Sequence, residues 1–147
     1  MKTRSFRSTA LLALTVLLGS FFAPAAEASI QGARLRALRI ANIMNSNGVR
    51  FRDAAVGLLP PGGEKLVSVN LAVGRSYYFV AGGCEDAFDV DVMVYDQNRN
   101  LVARDNDAST VAVAKVTPRW SGKFFIKVRM HRSTFNGAHY VLLYGSK

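Results

Sequence analysis

Reactive and metal-binding side chains are scarce in this sequence, which has one cysteine, two histidines and one tryptophan among 147 residues. A single cysteine excludes an internal disulfide framework and a multi-cysteine zinc site. Two histidines leave little material for a histidine-rich metal centre. No G-x-S-x-G stretch, phosphate-binding loop or dinucleotide fingerprint occurs. Beyond residue 28 no apolar run is long enough to span a bilayer, and no repeat of about 20–50 residues points to a solenoid or propeller. Apolar residues make up 50% and charged residues 20%, near the globular average, so disorder and collagen-like repeats are excluded too.

An export signal stands at the start. Lys2, Arg4 and Arg7 precede an uncharged apolar run from Ala10 to Ala23, and Ala26-Glu27-Ala28 follows Pro24. A basic start, a short apolar segment and an A-x-A site predict a secretory signal peptide over residues 1–28, cleaved after Ala28. A retained membrane anchor is the competing reading. It would need roughly 20 apolar residues, and Gly19-Ser20 and Pro24 interrupt this run. The processed chain is expected to be periplasmic or extracellular, with no transmembrane anchor.

Lys and Arg number 19 against 10 Asp and Glu, and loss of residues 1–28 leaves 16 against 9. A basic exported domain is drawn to anionic partners. An anionic polysaccharide, an envelope component or a secreted protein fits this charge, and nothing points to a specific nucleic acid. Solubility alone explains the same count. The charge is uneven: five Arg and no acid lie between Arg34 and Arg52, and seven acids lie between Glu85 and Asp107. From Lys115 to Arg132 there are six bases and no acid.

Residues 29–60 admit a short amphipathic helix, a first strand or a loosely ordered linker. As a helix, Gln31 to Met44 carries one stripe of Leu35, Leu38 and Ile43 and a neighbouring one of Ala37, Ile40, Ala41 and Met44. Asn45-Ser46-Asn47-Gly48 would end it. Pro60-Pro61-Gly62-Gly63 is the clearest boundary, and a separate domain is expected over residues 61–147. There the period becomes two. Seven strands are predicted: Lys65–Leu71, Tyr77–Ala81, Asp89–Tyr95, Leu101–Arg104, Thr110–Val116, Lys123–Met130 and Ala138–Tyr144. Val90, Val92 and Val94 share one face. Phe124, Ile126, Val128 and Met130 point inward and Phe125, Lys127 and Arg129 outward; Val111 and Val113 mark the alternation of the fifth strand. With no helix between strands, the fold class is all-β. It is an antiparallel, jelly-roll-like β-sandwich preceded by a short helix or extension.

Six stretches resemble one known family. They are Gly63-Glu64 before a strand, Gly74 with Tyr77-Tyr78-Phe79, the strand Asp89-Val90-Asp91-Val92-Met93-Val94-Tyr95-Asp96, and Leu101-Val102-Ala103-Arg104-Asp105. Ser121-Gly122-Lys123-Phe124-Phe125-Ile126-Lys127-Val128 and Gly137-Ala138-His139-Tyr140-Val141-Leu142 complete the series. In this order they resemble the bacterial pre-peptidase C-terminal (PPC) domain family. The resemblance implies a small β-sandwich that binds or assists and does not catalyse. The hairpin departs from the pattern, with Asn98-Arg99-Asn100 where the family usually has a glycine.

Two candidate sites follow. If Gln97 to Arg99 forms the hairpin loop, Asp91 stands opposite Asp105, Asp89 opposite Asp107 and Val94 opposite Val102. Like charges facing each other across a sheet are destabilising. A Ca²⁺ held by Asp89, Asp91, Asp105 and Asp107 would remove that cost; turn capping or pairing with arginine would also explain these residues. No cofactor is required, and Ca²⁺ is the one candidate. The second site is a binding surface of Lys123, Lys127, Arg129, Phe125 and Trp120, where aromatics beside cations could dock a partner; Tyr78 and Tyr95 are further candidates, and ordinary packing competes throughout. Cys84 is expected to be a partly buried free thiol, or else to pair with a second molecule. No nucleophile motif surrounds His131 or His139, so a secreted non-catalytic binding module is expected. A structural envelope component, a small hydrolase and a protease-associated inhibitor are the alternatives.

Overall fold

The seven predicted segments and one further strand pair into two antiparallel sheets of four strands each, forming the expected β-sandwich. The computed structural model of the chain describes residues 22–147, with side chains from Ser29 onward. Most of the expected signal peptide lies outside the described residues. The helix α1 (Phe22–Asn45) leads into β1 (Arg50–Leu59), β2 (Glu64–Leu71), β3 (Tyr77–Gly83) and β4 (Ala87–Tyr95). After them come β5 (Leu101–Asp105), β6 (Val111–Val116), β7 (Gly122–Ser133) and β8 (Ala138–Ser146). The first sheet has the order β1-β8-β3-β6 and the second β2-β7-β4-β5. Successive strands change sheet at every step except from β4 to β5, which is the jelly-roll order.

Residues 29–60 supply both a helix and a strand, two readings that the sequence leaves as alternatives. β1 pairs with β8 from Arg50–Ser146 to Leu59–Ala138, so the sandwich begins at Arg50 and not at residue 61. The Pro60-Pro61-Gly62-Gly63 stretch is the turn between β1 and β2. β1 hides in the sequence because it is an edge strand with a register shift between Asp53 and Ala55, which breaks its alternation.

Between the sheets, Val90, Val92, Val94, Phe124, Ile126, Val128 and Met130 pack with Phe79, Ala81, Tyr140 and Leu142, all buried. In β6 the residues buried in the core are Ala112, Ala114 and Val116, while Val111 and Val113 are half-buried on its other face. β3 and β8 are buried on both faces, which is why they read as nearly continuous apolar runs. The helix covers them. A Cβ on Gly82 would lie 2.5 Å from the Ala33 carbonyl oxygen and 2.8 Å from the Ala37 nitrogen, so the helix backbone approaches β3 as closely as a glycine allows. The buried stripe of α1 is therefore Ala33, Ala37 and Ala41. The Leu35 and Ile43 of the expected stripe are 66% and 61% exposed. Arg36 donates to the carbonyls of Gly83 and Cys84, and Arg34 pairs with Asp53 of β1 at 2.6 Å. No described helix is long and apolar enough to cross a membrane.

Candidate functional site

The outer face of the second sheet gathers most of the candidate residues. Alternation on β7 turns Phe125, Lys127 and Arg129 outward, half-buried, with Lys123 exposed. Register sets them between two neighbours: Arg129 lies between Glu64 and Asp91, Lys127 between Leu66 and Met93, and Phe125 between Ser68 and Tyr95. One end of the face is a field of acid–base pairs. Lys127 Nζ lies 3.0 Å from Glu64 Oε2, His131 Nδ1 3.8 Å from Asp91 Oδ2, and Arg132 Nε 3.7 Å from Asp89 Oδ2. The hydrogen bond to Glu64 holds the Lys127 pKa above its ordinary value.

At the other end cations lie over rings. The Arg99 guanidinium carbon is 4.2 Å from the centre of the Phe125 ring, and Lys127 Nζ is 5.5 Å from that of Tyr95. Glu64, Leu66, Tyr95, Arg99 and Lys127 line a shallow depression of about 420 Å³. Arg99 is held there by its loop. The buried Asp96 carboxylate accepts the backbone N–H groups of Asn98 and Asn100, each at 2.8 Å, and the Asn100 side-chain amide at 2.9 Å. Led by the Asn100 side chain, these bonds lower the Asp96 pKa. Arg99 itself has φ of 67°, alone among the described residues other than glycine in being positive. Sequence reasoning did not assign it to the surface. The signal was an arginine standing where a left-handed turn favours glycine.

The structure thus brings Lys123, Phe125, Lys127, Arg129 and Tyr95 onto one face and adds Leu66, Glu64 and Arg99. Trp120 is elsewhere. It stacks on Phe124 and lines a separate cavity of about 350 Å³ with Val102, Lys115 and Arg119.

The acidic candidates are not aligned as the sequence predicts. Asp105 stands opposite Val92, not Asp91, and Val94 opposite Ala103, not Val102, because the β4–β5 pairing shifts between Val94 and Tyr95. The Asp105 carboxylate caps the following turn, accepting the backbone N–H groups of Val113 at 2.7 Å and Asp107 at 3.2 Å. Asp107 is exposed. Asp89 and Asp91 are 6% and 5% exposed and face the bases of β7. Burial, reinforced by the neighbouring Asp89 charge, raises the Asp91 pKa against the pull of His131 and Arg129. Asp89 Oδ1 is buried with no hydrogen-bond partner. A separate trio of Cys84, Glu85 and Asp86 brings its ligand atoms within 4.8 Å of one another. A thiol does not suit Ca²⁺, which takes oxygen, and Glu85 is engaged by Ser29 Oγ at 2.9 Å. Cys84 is a free thiol, and fully buried where partial burial was expected.

No protein-family model matches the chain, so the PPC resemblance rests on the motifs alone. No curated protein matches its sequence. Among solved structures the fold is similar to that of PliG from Aeromonas hydrophila, a periplasmic lysozyme inhibitor of g-type lysozyme. The TM-score is 0.51 at 15% identity, over 69% of this chain and 90% of that one.

Proposed function

We propose that the chain is a non-catalytic binding module of the exported compartment, and that it docks an acidic segment of another protein on the outer face of the second sheet. The observation that carries this reading is Arg99. A left-handed backbone costs a non-glycine residue roughly 1–2 kcal/mol, whereas an exposed cation over a ring returns about 0.5–1 kcal/mol. Stability of the fold therefore does not account for arginine at this position. Recognition does: Arg99 and Lys123 offer N–H donors to carboxylates, and Phe125 and Tyr95 offer ring surface beside them. The likeness of the fold to an inhibitor of another protein supports a protein partner over an anionic polysaccharide.

Calcium belongs to this proposal only through the buried carboxylates of Asp89 and Asp91, of which the unpartnered Asp89 Oδ1 would accept a hard cation. Asp105 is committed to its turn and the site is not a four-aspartate one.

The experiment compares wild type with Arg99→Gly for retention on poly-L-glutamate and on an acidic glycan at rising salt, with inhibition of a g-type lysozyme as a further arm. Melting curves are recorded with Ca²⁺ and with chelator. Arg99→Gly is expected to fold with stability within about 1 kcal/mol of wild type while losing polyglutamate retention at lower salt. Equal retention of the two proteins would sink the proposed surface. Preference for the glycan would replace the protein partner, and identical melting curves with Ca²⁺ and chelator would remove calcium.

A further inference from the structure

A second cationic site lies at the end of the first sheet, where β1 begins and β8 ends. Arg50, Arg52 and Arg75 converge there on a cleft of about 340 Å³, together with Phe51, Tyr77 and Tyr144. No acid lines it. Each guanidinium is held by a neutral group. Arg52 lies 4.6 Å over the centre of the Tyr144 ring, Arg75 Nη2 donates to Ser146 Oγ at 3.3 Å, and Arg50 Nη1 donates to Asn45 Oδ1 at 3.1 Å. The acid on the same strand, Asp53, is taken by Arg34. On the second sheet, by contrast, Lys127, Arg129, His131 and Arg132 each lie within 4.0 Å of a carboxylate.

We propose that this cleft binds a small ligand bearing a phosphate or carboxylate group, with a ring or apolar body lying against Tyr77 and Tyr144. Three guanidiniums without a counter-charge repel one another, and an oxyanion that accepts their paired N–H groups removes that cost. The planar fork of arginine matches both groups. Tyr144 beneath Arg52 fixes the fork before the ligand arrives, which lowers the ordering cost of binding. The volume exceeds that of a bare oxyanion and lies in the range of small-molecule sites, so the ring surfaces have room for the rest of the ligand.

The test titrates the full processed chain with inorganic phosphate, phenyl phosphate and benzoate at constant ionic strength, followed by amide shifts of residues 50–52 and 75–77. Phenyl phosphate is expected to saturate and to bind more tightly than inorganic phosphate, with shifts centred on the cleft. Arg52→Gln and Arg75→Gln are each expected to weaken it about tenfold or more, the worth of a charge-assisted hydrogen bond. Arg52→Lys, which keeps the charge and loses the fork, should fall between. Arg104→Gln, on the edge strand β5 of the second sheet, removes the same charge away from the cleft and is expected to bind as wild type. Tight benzoate binding with weak phosphate binding would assign the site to carboxylates. Absence of saturation by all three probes, or equal weakening by Arg104→Gln, would overturn the site, and neither result bears on the outer face of the second sheet.

Discussion

Two buried aspartates, Asp91 within β4 and Asp96 just after it, respond to acid in opposite senses. The Asp96 carboxylate is the acceptor for three N–H groups that close its loop, so its pKa in the fold is lowered. The stability it contributes is complete above the ordinary aspartate range and is lost as pH falls through the lowered value. Asp91 is the reverse case, since burial first and the Asp89 charge second raise its pKa. Its contribution is complete below the ordinary range and is lost as pH rises through the raised value. Asp91→Asn is therefore expected to raise the urea midpoint at neutral pH and to converge on wild type in acid. Asp96→Ala should lower the midpoint at neutral pH, with the gap closing in acid. Midpoints measured across the acid range check both, and a neutral-pH loss for Asp91→Asn would show that its ionised form stabilises the fold. Residue by residue, the outward set Phe125, Lys127 and Arg129 was legible because alternation on β7 is unbroken. The opposition of Asp91 and Asp105 was not, since one irregularity between Val94 and Tyr95 moves every pairing beyond it.

At the scale of elements, α1 offers two candidate stripes, and the structure chooses between them. The stripe of Ala37, Ile40, Ala41 and Met44 faces the sheet while Leu35 and Ile43 are exposed, because β3 offers Gly82 and the two backbones meet almost in contact. Larger side chains would hold the helix off the sheet. Gly82→Ala places a methyl group against the backbone of α1, at Ala33 and Ala37, and backbone gives way less readily than the end of a side chain. The substitution is expected to cost about 1–3 kcal/mol, the usual range for overpacking, read as a lower denaturant midpoint with α1 amides exchanging faster. A midpoint equal to wild type would show that the helix can shift without losing its contacts. The strand count tells the same story from the other side. Seven strands were readable from alternation or from apolar content, and β1 was not, because it lies at an edge, carries a register shift and places Arg50 and Arg52 where a core strand would carry apolar residues.

The whole molecule is closed by its last strand. β8 lies between β1 and β3, so the first strand of the sandwich has no other neighbour in its sheet until residues 138–146 are in place. Tyr140 and Leu142 complete the inner core while Val141 and Leu143 are buried on the face covered by α1. Such non-local pairings close large loops before they return any contact, which makes folding slow compared with helical domains of the same size. The order also means that the nascent chain cannot finish either its core or its helix-covered face early. A chain ending at Gly137 is therefore expected to lack a cooperative thermal transition, with unordered far-ultraviolet dichroism and rapid proteolysis, and not to be merely less stable. A protease-resistant fragment spanning β2 to β7 in that truncation would show that the second sheet folds alone and that closure by β8 is an addition to a finished core.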